Sequence, residues 1–212
     1  MDIKEETTQH KFLFIDMDGT IADYNGLINF YLKENYSGVD IKHFWDNINT
    51  PDYKKIKDSI DRSDRFYFEL QPISDEVVDT IKKLDTSSGG EYKVYFLSSP
   101  EIKSNTCHSD KNEWIKLQFG PEWCKRLILT KDKTLVGVPH ALNFLIDDRL
   151  QQGINPHPMW KQIYFLNEHN KVTNNHPRII NWNYEEVKRC LHEAGTQILN
   201  KSNSYLDLLL HP

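Results

Sequence analysis

Two aspartates separated by one residue follow a short apolar segment near the start of the chain. Residues 11–15 read Lys-Phe-Leu-Phe-Ile, and Asp16, Asp18 and Gly19 come directly after them. A short apolar run of this kind is typical of a buried strand in a parallel sheet. One carboxylate at its end can attack phosphorus and form an aspartyl-phosphate, and a second can protonate the leaving oxygen and then activate water. Because two carboxylates facing a phosphate need a hard cation, the pattern indicates Mg²⁺-assisted phosphoryl transfer.

Three further polar clusters each follow a segment of the same kind. They are Ser98 after residues 92–97, Lys131 and Lys133 after 126–129, and Asp147 and Asp148 after 142–146. A serine hydroxyl can hold phosphate oxygens, and a lysine can neutralise the charge of a phosphate or a nucleophile. Paired acids at the end of a buried strand are costly unless they bind a metal or another partner. Ligands of open parallel sheets bind outside the carboxyl ends of the strands, so we expect the clusters to meet in one crevice.

The elements that must position these clusters alternate between strands and helices. Helical patterns cover residues 74–84, with Ser74 as the expected N-cap, and residues 110–119 and 184–199. Residues 162–166 are predicted as a fifth strand. This alternation predicts an α/β fold with a parallel sheet. The aromatic and charged residues 24–72 do not fit it and are expected to form an insertion of two or three short helices.

Composition narrows the class of protein. The 212 residues carry 26 basic and 31 acidic side chains, a balance that disfavours a partner such as a nucleic acid polymer. No apolar run approaches the roughly 18 residues that a membrane span needs, and the acidic N-terminus lacks the apolar region of a secretory signal. Cys107, Cys124 and Cys190 show no Cys-x-x-Cys spacing, so reduced thiols and a cytoplasmic location are expected.

At these residues the sequence resembles the haloacid dehalogenase-like phosphohydrolase superfamily, and within it the 5'(3')-deoxyribonucleotidases. The likeness extends over roughly residues 11 to 190 and includes Phe-Ile-Asp-Met-Asp-Gly-Thr-Ile-Ala-Asp-Tyr (14–24), Phe-Tyr-Phe-Glu-Leu-Gln-Pro (66–72), Ser-Ser-Pro (98–100), Ile-Leu-Thr-Lys-Asp-Lys-Thr (128–134), Leu-Ile-Asp-Asp (145–148) and Glu-His-Asn (168–170). The resemblance implies a Rossmann-like parallel-sheet core with helices on both faces, residues 1–23 and 73–212. It also implies a small helical cap, residues 24–72, inserted after the first strand.

The resemblance further implies a role for each site residue and an activity. Asp16 would be the nucleophile, and Asp18 would contact the substrate as general acid and base. Mg²⁺ would be held by the Asp16 carboxylate, the Asp18 backbone carbonyl and Asp148, with Asp147 beside them. The substrate-binding residues would be Ser98 and Lys133 for the phosphate and Tyr24, Phe44 and Trp45 for the base. The implied activity is that of a homodimeric 5'-nucleotidase that dephosphorylates nucleoside monophosphates such as dUMP and dTMP.

Three features depart from the family pattern, and three other functions stay open. Ser98 stands where the family usually has threonine, Asp46 follows the aromatic pair, and residues 134–144 form a longer segment than expected. One alternative function is a phosphatase of the same superfamily that acts on another small phosphomonoester. A second is a non-catalytic nucleotide-binding protein on the same fold. A third is an interaction protein that uses the leucine-rich tail, residues 206–210.

Overall fold

The computed structural model describes residues 10–167 and 177–210, with the side chains of 201–210 excepted. Its centre is a six-stranded sheet in the order β3-β2-β1-β4-β5-β6, and every strand pair is parallel. The strands are β1 (Lys11–Ile15), β2 (Tyr92–Ser98), β3 (Leu127–Leu129), β4 (Phe144–Asp147), β5 (Lys161–Phe165) and β6 (Arg178–Ile179). The α/β class and the first five strands were predicted from the apolar runs. The two-residue β6 was not.

The strand order brings the polar clusters to the middle of the sheet. β1 pairs with β2 on one side and with β4 on the other, so Ile15 lies opposite both Phe96 and Ile146. The chain therefore reverses its direction of winding at β1, and the residues that follow β1, β2 and β4 emerge side by side. Such a topological switch point is where open parallel sheets bind ligands.

Helices are inserted after the first strand, as predicted, but there are four of them rather than two or three. They are α1 (Tyr24–Asn35), α2 (Ile41–Asp46), α3 (Pro51–Asp61) and the one-turn α4 (Phe66–Glu69). Local sequence explains where they begin. Asp23 accepts a hydrogen bond from the Gly26 N–H at the start of α1, and Asp40 accepts one from the His43 N–H at the start of α2. α3 begins at a proline, which needs no N–H partner there.

Three helices outside the insertion share one hydrophobic core with one face of the sheet. They are α5 (Val77–Leu84), α6 (Cys107–Phe119) and α7 (Tyr184–Leu210). Because strand side chains alternate, Leu13 and Ile15 point into this core. The expectation that Ser74 caps α5 is wrong. The helix begins at Val77, and Ser74 contributes only its carbonyl oxygen, 3.4 Å from the Val77 nitrogen.

The opposite face of the sheet carries a second, smaller core. Phe14, Leu97 and Leu145 pack there with Trp160. The Trp160 Nε1–H donates to the carbonyl oxygen of Lys133, which opens a short 3-10 helix, Lys133–Leu135. This core therefore anchors the segment that carries Lys133. Within the described part of the chain, no helix is both long and apolar enough to cross a membrane.

Candidate active site

The loop after β1 is held in place from several sides. The Asp16 N–H donates to the Ile146 carbonyl oxygen at 2.9 Å, which continues the sheet pairing one residue beyond the strand. Trp182 donates its indole N–H to the Thr20 carbonyl oxygen at 2.7 Å, and the Thr20 hydroxyl accepts a hydrogen bond from the Asp148 N–H at 3.1 Å. The loop after β1 is therefore joined directly to the acidic pair that follows β4.

Lys133 joins the first, third and fourth clusters. Its ammonium lies 2.6 Å from Asp16 Oδ1 and 2.7 Å from Asp147 Oδ2, and all three side chains are buried. Burial raises the pKa of Asp16, but the charges of Lys133 and Lys111 outweigh it and hold this pKa below its ordinary value. Asp16 is thus ionised at neutral pH, as a nucleophile must be. Sequence reasoning left Lys131 and Lys133 open, and the structure places Lys131 on the surface.

Three buried carboxylates can bind one cation between them. Asp16, Asp147 and Asp148 each offer an oxygen within 4.8 Å of the others. Burial, followed by repulsion from Asp16, raises the pKa of Asp147 to about 6 and that of Asp148 to about 7. Lys133 and Arg149 lie against these carboxylates and offset part of their negative charge. Three clustered carboxylates suit a hard divalent cation with oxygen ligands. The residues present therefore fit the expected metal site.

The second cluster reaches the first through a lysine that sequence reasoning did not assign to the site. Ser98 is the last residue of β2 and is fully buried. The fully buried Lys111 of α6 donates to Ser98 Oγ at 2.8 Å and to Asp18 Oδ2 at 2.6 Å. Lys111 lies within residues 11 to 190, over which the likeness extends, but a lysine in a helical pattern is normally exposed. Asn167, also missed, donates to Asp148 Oδ2 at 3.3 Å.

The aromatic residues predicted for the base pocket lie on the inserted helices. Tyr24 opens α1 and donates its hydroxyl to Asp61 at 2.5 Å. Burial and the nearby Asp61 raise the Tyr24 pKa well above its ordinary value, so this hydroxyl stays protonated. Phe44 is fully buried and meets Trp45 edge-on, and Trp45 is partly buried. These positions do not show whether the three side chains contact a base, so the base pocket stays a prediction.

Other sequence features lie at the edge of the site or outside the described residues. Asp46, which departs from the family pattern, is exposed at the end of α2. The longer segment, residues 134–144, begins inside the 3-10 helix and ends at the first residue of β4. The Glu-His-Asn motif at 168–170 and the side chains of the leucine-rich tail, 206–210, lie outside the described residues.

Comparison with known proteins agrees with this geometry. The family described as "5' nucleotidase, deoxy (Pyrimidine), cytosolic type C protein" matches residues 10–192. The chain belongs to this family. It is therefore a phosphomonoester hydrolase of the 5'(3')-deoxyribonucleotidase type, and the resemblance found in the sequence is confirmed.

Individual relatives are distant but extend over most of the chain. The human 5'(3')-deoxyribonucleotidase of cytosolic type is 26% identical over 192 residues, covering 82% of this chain and 92% of the relative. The mouse mitochondrial 5'(3')-deoxyribonucleotidase is 29% identical over 169 residues, covering 74% of each chain. A HAD family hydrolase from Deinococcus radiodurans shares the fold with a TM-score of 0.55 and 12% identity, covering 88% of this chain and 96% of that one.

Proposed function

We propose that this nucleotidase removes phosphate from nucleoside monophosphates such as dUMP and dTMP, with Asp16 as nucleophile and Mg²⁺ as cofactor. One observation carries the proposal: Lys133 bridges Asp16 and Asp147 inside a buried group of carboxylates that also includes Asp148. This arrangement offers an ionised nucleophile and a cation site at the same strand ends. Both are what phosphoryl transfer to a carboxylate requires.

The chemistry follows from the positions of the two aspartates of the first motif. The Asp16 carboxylate attacks phosphorus in line, and the bond from phosphorus to the nucleoside oxygen breaks as the aspartyl-phosphate forms. Asp18 gives its proton to the leaving oxygen and later takes a proton from the water that hydrolyses the aspartyl-phosphate. Burial lowers the pKa of Lys133, but the charges of Asp16 and Asp147 hold it above the ordinary value, so Lys133 stays protonated. Its positive charge offsets the Asp16 carboxylate before the attack and the phosphoryl oxygens in the aspartyl-phosphate.

The hydrogen bonds that the carboxylates already make indicate which of them we propose as metal ligands. Both oxygens of Asp147 are hydrogen-bonded, Oδ2 to Lys133 and Oδ1 to the Arg149 N–H at 2.9 Å. We therefore assign Asp147 to supporting the site, and Asp16, Asp148 and the Asp18 backbone carbonyl to holding Mg²⁺. The ion, when bound, supplies positive charge for the phosphoryl oxygens.

We propose that the inserted helices take part in recognising the substrate. Residues 24–72 would act as the cap over the core formed by 1–23 and 73–212, and Tyr24, Phe44 and Trp45 would contact the base. Ser98 and Lys133 would bind the phosphate. A cytoplasmic homodimer is proposed by analogy with the family, whose relatives include both cytosolic and mitochondrial proteins.

The first test is phosphate release from a panel of phosphomonoesters. The panel contains 5'- and 3'-monophosphates of ribo- and deoxyribonucleosides and several sugar phosphates, each assayed with Mg²⁺ and with EDTA. We expect Mg²⁺-dependent turnover that favours dUMP or dTMP and is absent from Asp16→Asn. Turnover confined to sugar phosphates would retain the chemistry and discard the nucleotide substrate. Tight nucleotide binding without release would instead support a binding protein.

A further inference from the structure

Lys111 has an unusual position for a lysine. Its ammonium group is fully buried, one turn into α6, and lies 5.0 Å from the centroid of the Tyr67 ring. Its three N–H groups meet three acceptors: Asp18 Oδ2 at 2.6 Å, Ser98 Oγ at 2.8 Å and the Ser99 carbonyl oxygen at 3.2 Å. Since an ammonium group has three hydrogens, Lys111 has no donor left for the substrate.

One consequence concerns the two oxygens of Asp18. Lys111 fixes Oδ2, whereas Oδ1 is buried and has no hydrogen-bond partner among the described residues. A carboxylic acid whose Oδ2 accepts a hydrogen bond from an ammonium carries its proton on the other oxygen. The contact therefore presents Oδ1 as the oxygen that gives and takes the proton.

A second consequence concerns the hydroxyl of Ser98. Because Lys111 donates to Ser98 Oγ, that oxygen acts as an acceptor toward Lys111. The hydroxyl hydrogen then points away from the ammonium and can be donated to another acceptor. An incoming phosphoryl oxygen is an acceptor of this kind. The same ammonium thus sets the direction of the phosphate-binding hydroxyl and of the acid/base carboxylate.

We propose that Lys111 is a positioning residue that aligns Asp18 Oδ1 with the leaving oxygen and the Ser98 hydroxyl with the phosphate. The inference rests on the proposed function, since it assumes that Asp18 transfers the proton. A positioning role for Lys111 differs from a merely structural role in which substrates are affected when the residue is replaced. An alkoxide such as the nucleoside oxygen needs a proton in order to leave, whereas p-nitrophenolate leaves with little help. Misalignment of Asp18 must therefore lower kcat/KM more for a nucleotide than for p-nitrophenyl phosphate.

The test compares Lys111→Met and Lys111→Arg with the native enzyme on dUMP and on p-nitrophenyl phosphate. Lys116→Met serves as the matched control, because Lys116 is an exposed lysine of the same helix. We expect Lys111→Met to lower kcat/KM for dUMP by about 100-fold and for p-nitrophenyl phosphate by less than about 10-fold. The arginine variant retains the charge with a different donor geometry and should show a smaller loss of the same kind. Lys116→Met should match the native enzyme.

A second comparison uses Asp18→Asn. In that background the dUMP-specific loss from Lys111→Met should vanish, because residues that act as a unit are not additive. Equal losses on both substrates in either folded Lys111 variant would overturn the proposal. If Lys111→Met does not fold, the comparison is made with Lys111→Arg alone.

A native enzyme that cleaves p-nitrophenyl phosphate but not dUMP would instead refute the proposed substrate. Glycerol phosphate, also an alkyl ester, would then replace dUMP in the comparison.

Discussion

Gly19 approaches the carboxylate of Asp148 so closely that a Cβ atom built on it would lie 2.7 Å from Asp148 Oδ2. Its φ of +80° also lies in the left-handed region, which side chains other than glycine rarely adopt. Gly19 therefore does more than permit a tight turn. Its missing side chain lets the loop after β1 close onto a proposed metal ligand from the end of β4.

Replacing Gly19 by alanine should weaken the metal site. The new methyl group has to displace the Asp148 carboxylate, so we expect Gly19→Ala to raise the Mg²⁺ concentration for half-maximal activity by about tenfold or more. Gly89→Ala is a matched control, since Gly89 has a φ of +81° with nothing within 4 Å of a built Cβ. It should cost about 1–2 kcal/mol in the free energy of unfolding from strain alone. An unchanged Mg²⁺ requirement in Gly19→Ala would contradict the proposed ligand set.

The proposed base pocket makes a separate prediction about Trp45. Its ring is partly buried on α2, and its indole N–H donates to Asn29 at 2.7 Å. Truncation to alanine should raise KM for dUMP about tenfold, equivalent to a lost contact of about 1.4 kcal/mol, and leave p-nitrophenyl phosphate hydrolysis unchanged. Trp45→Phe, which keeps an aromatic face, should lose less. Steady-state kinetics on both substrates would decide, and equal effects on the two esters would remove Trp45 from the pocket.

Asp85 should stabilise the fold without taking part in catalysis. It is fully buried where α5 ends and accepts hydrogen bonds from the Val94 N–H at 3.0 Å and the Ser87 N–H at 2.9 Å, and it pairs with Arg126. Asp85→Ala leaves these donors unpaired and should lower the free energy of unfolding by about 3 kcal/mol. Urea unfolding measures this loss, with Asp75→Asn, at an exposed aspartate, as the control.

The contribution of Asp85 to the stability of the fold should decrease as the pH falls. Burial raises the pKa of Asp85, but hydrogen bonds from Ser87, Val94 and Arg126 outweigh it and hold the pKa below its ordinary value of 3.8. A carboxyl with a lowered folded-state pKa adds stability above its unfolded pKa and loses it as pH falls through the folded value. The native protein should therefore lose more stability below about pH 4 than Asp85→Asn does. Parallel acid profiles would contradict this assignment.

The sequence predicted the sheet and the central carboxylates because both depend on local patterns. Continuous apolar runs marked β1 to β5, and the acids that follow β1 and β4 indicated a site for a metal and a phosphate at those strand ends. The structure added what depends on distant contacts. Lys111 lies 93 residues from Asp18 along the chain, and no spacing rule connects them.

The failures at element boundaries have similar causes. β6 is only two residues long and is held by pairing with β5, so its own sequence carries little signal. Ser74 has the residue type of an N-cap, but the chain turns into α5 three residues later. The inserted helices were undercounted because α4 is a single turn, defined by packing against α6 rather than by periodicity.

The most direct test of the account is to find the phosphoryl group on the enzyme. The native protein and Asp16→Asn would be mixed with dUMP carrying a radioactive phosphate in the presence of Mg²⁺, quenched with acid within the first turnovers, and digested for mass spectrometry. We predict label on Asp16 in the native protein and neither label nor turnover in the variant. Turnover without a labelled enzyme, or in a folded Asp16→Asn protein, would contradict the nucleophilic role of Asp16.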